Sequence, residues 1–352
     1  MKLLVLYMEL ADYTVSCLKA LKKSNPEVEI HTIAYPVNDE APFQFDFSEI
    51  GQLCDRNKFD YEKIQLFSDK LKPDLIICSG WVDRSYLKVI RTWRRKAVTV
   101  LCMDNKWEGT LKQHIASIGA RLYLPRIFNY LWVPFHQHAK FGRRMGFAKR
   151  RIKLGFYSTE TKKYKKLYQE TKSIKAKDFP KKFICVARYI DAKNLDTLWQ
   201  AFISANEKMG GTWELWNLGK GENWEARNLH PTIKHKGFVQ PEEIANYMKA
   251  TGVFVLASTS EPWGVVVHQF ASAGFPMLVS KKVGAHEAFV QENKNGCTFN
   301  PLIKSELEDK MIQLMKMDTQ ELTKLGEESS KLSEIITEEK WINTLFEMSN
   351  KQ

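Results

Sequence analysis

The stretch 253–290, VFVLASTSEPWGVVVHQFASAGFPMLVSKKVGAHEAFV, reads as strand, acidic-glycine turn, helix, strand, second glycine turn and helix. VFVLAS is short, apolar and rich in β-formers; PMLVS is a second buried strand, and GAHEAFV opens another helix. Within VVVHQFASAG the spacing predicts one helical face carrying Val265, Val266, Phe270 and Ala273. The Glu-Pro-Trp-Gly turn (261–264) ends a strand and starts a helix, so backbone N–H groups of the first turn are left without intrahelical partners. The helix dipole favours negative charge there, which suits phosphate or sugar oxygens, and Gly264 lets the chain pass close to them.

The same alternation extends in both directions. Strands are expected at 2–7, 28–34, 74–78, 97–102 and 130–133, with a first helix near 12–23. The lysine-rich segment 150–180 ends in Phe179-Pro180, which suits a domain boundary. KFICVA (182–187) then begins a second series: a helix at 195–207, strands at 213–218 and 233–238, and a helix at 241–249. Strands alternating with helices predict an α/β protein with a parallel sheet in each half, joined by right-handed crossovers. Ligands in such sheets bind beyond the carboxyl ends of the strands. Two such halves facing one another would enclose a cleft. The expected division is 1–160, a basic linker at 161–180, a second domain at 181–336, and a C-terminal helix within 337–352 that returns to the first domain.

At 352 residues, with 44% apolar residues and 12 Pro, the chain can fill two cores and is not of disordered composition. The six cysteines (17, 54, 78, 102, 185, 297) show no CxxC or Cys/His metal spacing; 78, 102, 185 and 297 lie in or beside apolar runs, as reduced core thiols do. The start, MKLLVLYMELADYTVSC, has no n-region or cleavage site, and no apolar run approaches the ~18 residues of a membrane span. The expectation is a cytoplasmic protein, at most peripheral on the inner face of a membrane. The net charge of +12 is concentrated: Lys140 to Lys177 holds 14 Lys/Arg against Glu160 and Glu170. Such a strip, interleaved here with Phe and Tyr, can be a solvated linker, a contact to an anionic membrane surface or a nucleic-acid contact. No helix-turn-helix, zinc-finger or RNA-recognition pattern accompanies it, and nucleic acid is not expected.

Several collinear blocks resemble the retaining glycosyltransferases of family 4, within the glycosyl transferases group 1. They are VARYIDAKNLDTLWQAF (186–202), WELWNLGKGE (213–222), KHKGFVQPEEIANYMKATGVFVLAS (234–258), the EPWG block, the Ala-Gly-x-Pro turn at 273–276, and Gly284 with Glu287. The resemblance covers roughly 180–350 well and 1–150 in topology alone. It implies the GT-B fold, two facing Rossmann-like domains with an interdomain cleft.

For the residues it implies the following. Arg188 and Lys193, on one loop after a strand, would neutralise the diphosphate of a nucleotide-sugar donor; a planar fork and a point charge suit that task. Glu261 would meet hydroxyls of the donor sugar, with Pro262, Trp263, Gly264 and Val265 holding sugar or phosphate oxygens by their backbone. Gly219 lies in the family's glycine turn, and Phe238 with Val239 would flank the base. The family's second acid is here Gln269, whose neutral amide offers ribose less than a carboxylate does. The Gly-Gly turn of many members is replaced by Met8-Glu9-Leu10-Ala11-Asp12, so no phosphate contact is carried over. Glu9, Asp12, Trp81 and Trp107 are instead candidates for the acceptor side, and Asp104 for contact with the reacting sugar or orientation of the acceptor. Each has a plain structural alternative: helix capping for the acids, core packing for the tryptophans. No Asp-x-Asp motif occurs, and neither a metal nor another cofactor is expected.

The expected activity is hexose transfer from a nucleotide-diphosphate sugar to a saccharide or lipid-linked acceptor, with retention, in surface polysaccharide or glycolipid synthesis. A nucleotide-sugar epimerase and a non-catalytic nucleotide-sugar-binding protein are the alternatives. The first lacks an identifiable set of acids and histidine for elimination.

Overall fold

A computed structural model describes residues 1–36 and 46–350. The chain divides into two units, 1–159 with 336–352 and 160–335.

Unit 1 contains β1 (Lys2–Glu9), α1 (Asp12–Ser24), β2 (Glu29–Tyr35), β3 (Gln52–Asp55), α2 (Tyr61–Leu71), β4 (Leu75–Ser79), α3 (Arg84–Trp93), β5 (Val98–Cys102), α4 (Leu111–Ile127), β6 (Tyr130–Val133), α5 (His136–Arg144) and β7 (Ile152–Leu154). Its sheet runs β3-β2-β1-β4-β5-β6-β7, all parallel. Alternation within β1 fixes the two faces. Leu4 and Leu6 join the core under α2 to α5, whereas Leu3, Val5 and Tyr7 join the core under α1.

Unit 2 contains α6 (Thr161–Lys177), β8 (Lys182–Val186), α7 (Leu195–Lys208), β9 (Glu214–Leu218), β10 (Ile233–His235), α8 (Ile244–Ala250), β11 (Val253–Leu256), α9 (Val265–Ser272), β12 (Met277–Ser280), α10 (His286–Phe289), β13 (Gly296–Phe299), α11 (Lys304–Lys316) and α12 (Thr319–Leu332). The parallel order is β10-β9-β8-β11-β12-β13. The last helix, α13 (Glu338–Ser349), belongs to unit 1. Trp341, Leu345 and Met348 enter its core, and Trp341 Nε1–H donates to the Phe156 carbonyl at 2.8 Å.

Three expectations change. The segment 161–180 is no linker: α6 spans most of it and buries Tyr164, Leu167, Thr171 and Lys175 as one stripe, packed in unit 2 against α8, α9 and α12. Its other lysines stand on the remaining faces, so a count of charge hid an amphipathic helix. The boundary therefore falls at Thr159/Glu160, before the helix. In α9 the buried residues run from Val267 to Ser272 while Val265 and Val266 are half-buried, so the helix is enclosed on several sides. The strand expected at 233–238 stops at His235, two residues before Gly237 at φ +75.

Candidate active site

In unit 2 the strand order reverses at β8, with β9 on one side and β11 on the other. In doubly wound sheets, ligands bind beyond the carboxyl ends of the strands at such a reversal. Arg188, Lys193 and Glu261 occupy those two loops.

The loop after β8 is tied down by its backbone. Ala187 N–H donates to the Leu218 carbonyl (3.0 Å) and Tyr189 N–H to that of Lys220 (3.0 Å). Gly219 permits this lacing: a Cβ there would lie 2.0 Å from the Ala187 carbonyl oxygen. A short 3₁₀ turn, Asp191–Lys193, ends at Asn194 in the left-handed region. The Asn194 amide donates to the carbonyls of Ala257 (3.3 Å) and Pro301 (3.0 Å), and Thr259 N–H donates to that of Ala192 at 2.9 Å. These bonds fasten the β8 loop to the β11 loop. Across that junction the Lys193 ammonium forms an ion pair with Glu261 Oε2, both side chains half-buried. Arg188, on the same loop as Lys193, is exposed.

Glu261, Pro262 and Trp263 run beside 282–285 as a strand fragment. Gly284 N–H donates to the Glu261 carbonyl at 3.0 Å and Ala285 N–H to that of Trp263 at 2.8 Å. Gly264, at φ +88, then turns the chain into α9, whose start receives no side-chain cap. A side chain at Gly264 would be strained by φ and would press on Val283 at 3.0 Å and Glu261 at 3.2 Å. The first-turn N–H groups therefore open beside the Glu261 carboxylate. Trp263 points inward, buried edge-on to Phe289 (5.9 Å), so only its backbone is available to a ligand. Pro262 is exposed and Val265 half-buried. Gln269 is buried in α9. Phe238 and Val239 are half-buried just past Gly237.

Sequence reading missed the polar cluster beside this loop. Tyr189 OH bonds His235 Nδ1 at 2.7 Å, and His235 Nε2 lies 2.6 Å from the Asn228 carbonyl. A carbonyl only accepts, so Nε2 carries the proton and the tyrosine donates to Nδ1. Burial, with Arg227 nearby, holds the His235 pKa below the usual histidine range despite that second bond. Trp199 and Trp224 pack edge-on against the same imidazole at 5.4 and 6.2 Å. Strand pairing sets Asn217 beside His235, and both its amide atoms are buried without partners among the described residues. No spacing pattern in the sequence signals this cluster; register alone assembles it.

Unit 1 places its candidates at the corresponding edge. Glu9 ends β1 and is exposed; Asp12 opens α1 and is half-buried. Asp104 follows β5 and accepts from Tyr157 OH at 3.4 Å. Tyr157 meets Tyr13 edge-on at 4.9 Å, and burial raises its pKa well above the usual tyrosine range. Trp81 is half-buried against the core. Trp107 is enclosed by the Arg144 guanidinium (4.2 Å), His114 (4.8 Å) and Phe141 (5.6 Å), so its ring is engaged in packing.

Residues 168–332 match the family model of the glycosyl transferases, group 1. That match lies wholly within unit 2. Over those residues unit 2 is similar to the group 1 glycosyltransferases. Among curated proteins, an alpha-monoglucosyldiacylglycerol synthase of Acholeplasma laidlawii is 27% identical over 124 residues, 33% of this chain and 31% of that protein, so the chain matches about a third of its relative's length. Among solved structures, Anabaena Alr3699/HepE in complex with UDP and glucose has a TM-score of 0.75 at 14% identity, covering 100% of both chains. A sucrose-phosphate synthase from Thermosynechococcus elongatus gives 0.74 at 17%, covering 100% of this chain and 99% of that one. The lipopolysaccharide outer core galactosyltransferase WaaB gives 0.71 at 12%, covering 99% of each. Likeness at these identities speaks for the fold. Two Rossmann-like units with parallel sheets make this the GT-B architecture.

Proposed function

We propose that the chain is a glycosyltransferase that moves a hexose from a nucleotide-diphosphate sugar to a saccharide or lipid-linked acceptor, with retention at the anomeric carbon. One observation carries the reading: at the reversal of the unit 2 sheet, Lys193 and Glu261 meet as an ion pair beside the uncapped start of α9.

The arrangement has a chemical logic. A diphosphate and a carboxylate repel one another unless a cation sits between them, and Lys193 holds that place. Donor arrival would exchange the pair: the ammonium turns to the diphosphate with Arg188, and Glu261 accepts from sugar hydroxyls. Charge-assisted bonds of this kind are worth roughly 1.5–3 kcal/mol each. The N–H groups after Gly264 add donors for phosphate or sugar oxygens, and Gln269 offers its side-chain amide to ribose. Phe238 and Val239 would flank the base, next to Gly219. As the glycosidic bond to the leaving group lengthens, positive charge grows at the anomeric carbon and negative charge on the phosphate. Glu261 stabilises the first, Arg188 and Lys193 the second. The departing phosphate takes the acceptor's proton on the same face, which retains configuration without a protein base. Asp104, Glu9 and Asp12 are assigned to acceptor hydroxyls.

Neutralisation falls to the two side-chain cations, so turnover should persist in EDTA. The likeness to a glucosyldiacylglycerol synthase supports a lipid-borne acceptor, glycolipid or surface polysaccharide as product, and an anionic membrane surface as the place of work. Incubation with labelled UDP- and GDP-sugars, with the product anomer read by NMR, tests the whole reading. Transfer with retention is expected; an isomerised donor, or binding without turnover, would overturn it.

A further inference from the structure

The outward face of α4 is apolar. At 100° per residue, Leu111, Ile115, Ile118 and Leu122 fall in one stripe, and Ser117, Ala120, Leu124 and Ile127 in another nearly opposite. The second stripe is buried. The first stands in solvent, its members 76%, 64%, 68% and 59% exposed. A surface helix ordinarily turns polar residues outward, and a contiguous exposed apolar row marks an interaction site. Lys112 and Arg126 border the row on one side and Arg121 on the other. Neither α3 nor α4 contains an acid.

A cluster of cations adjoins the row. Arg91, Arg94, Arg95, Lys96 and Arg126 line, with Leu122, a cavity of about 560 Å³ that no carboxylate enters. Arg94 Nε is buried and has no hydrogen-bond partner among the described residues. The charge is regional: from Arg84 to Thr159 the chain has 17 Lys/Arg against only Asp104 and Glu108.

We propose that this surface of unit 1, the α4 row with the five-cation cavity beside it, docks on an anionic lipid bilayer. Four aliphatic side chains can enter the acyl boundary while the flanking lysine and arginines reach back to headgroup phosphates. Nucleic acid would engage the cations but leave the aliphatic row in water. A second copy of this chain would cover the row but bring two cation clusters together without an acid to separate them. The proposal extends the reading of a membrane-borne acceptor, yet vesicle binding requires no turnover and so tests it separately.

The experiment is co-sedimentation of the full chain with vesicles of phosphatidylcholine alone or mixed with phosphatidylglycerol. The mixed vesicles should bind at least ~10-fold more tightly, with the difference shrinking as salt rises. I115D/L122D should lower binding to mixed vesicles at least ~10-fold, and R94Q/R95Q/K96Q about fivefold or more. Both variants should keep the wild-type melting temperature and donor hydrolysis in the absence of lipid. Wild-type vesicle binding by either folded variant would overturn the proposal. So would a dimer that I115D/L122D dissociates while vesicles are ignored, or binding of a mixed-sequence oligonucleotide in place of vesicles. Lost vesicle binding in the wild type with donor turnover intact would sink the docking surface alone.

Discussion

The two units share one fold, and the edges of their sheets are chemically unlike. Beyond β8 and β11, unit 2 presents a guanidinium, an ammonium paired with a carboxylate, and a helix start opened by Gly264. Beyond β1, β4 and β5, unit 1 presents acids, Tyr157 and Tyr13, and a separate ion pair between Arg56 and Asp83 at 2.8 Å. The first set suits an anionic leaving group; the second suits hydroxyl-bearing partners. A doubly wound sheet thus supplies a place for a ligand, while the side chains at its edge decide which one.

The largest effect should come from breaking the unit 2 set. Lys193→Ala removes the proposed phosphate partner and breaks the ion pair with Glu261, so turnover should fall at least ~10-fold and toward ~100-fold. Steady-state rates on the identified donor measure it. If Lys193→Ala turned over normally while Asp104→Asn failed, the contrast between the edges would be reversed.

The ion pair of unit 1 predicts a stability effect with no counterpart in donor binding. Asp83 is pushed up by burial but held below its usual carboxylate range overall by Arg56, the Tyr86 N–H and Tyr35. A folded-state pKa below the unfolded one contributes stability that is present above about pH 4 and lost as pH falls through the folded value. Arg56→Ala should therefore cost about 2 kcal/mol near neutrality and flatten the acid side of the stability profile. Denaturant titrations across pH check both. An unchanged profile would show that Arg56 does not set the Asp83 charge.

Gln269→Glu should sharpen the unit 2 edge modestly. Replacing a neutral acceptor by a charged one should tighten nucleotide binding by ~1 kcal/mol, about fivefold. Calorimetry that finds no change would place ribose away from α9.

Lys175 predicts the smallest effect. It is buried on α6, where its ammonium donates to the Met248 carbonyl at 3.0 Å, and burial lowers its pKa to about 7. The unfolded chain then binds the extra proton between about pH 7 and the usual lysine value, so this lysine weakens the fold most at and below neutrality. Lys175→Met should raise the melting temperature at pH 6 by about 2 °C or more, and the gain should vanish toward pH 10. An equal gain at both pH values would separate the effect from ionisation.

Much of this was legible in the sequence, for identifiable reasons. Strands such as KLLVLY and VFVL are apolar on both faces, and their alternation with helices announces parallel sheets. The strands Gln52–Asp55 (QLCD), Ile152–Leu154 (IKL) and Gly296–Phe299 (GCTF) escaped notice because none has the unbroken run of apolar β-formers that marks VFVL. The stretch 161–180 misled because its lysines outnumber the five residues that α6 buries. Arg188, Lys193 and Glu261 could be named from their blocks, but the pairing of Lys193 with Glu261 across 68 positions is a property of the folded loops. So is the inward turn of Trp263. The apolar row of α4 was hidden for a related reason: a helix apolar on two opposite sides has no single face for a periodicity argument to find.

On the proposed function, unit 2 grips the donor through the loops after β8 and β11. Hydrogen exchange of the full chain, with and without UDP-glucose and GDP-mannose, tests it most directly. The account predicts that one of these donors slows exchange in residues 187–194 and 261–267, and that Lys193→Ala weakens this protection. Protection confined to the loops of unit 1, with residues 187–194 and 261–267 unchanged by either donor, would contradict it.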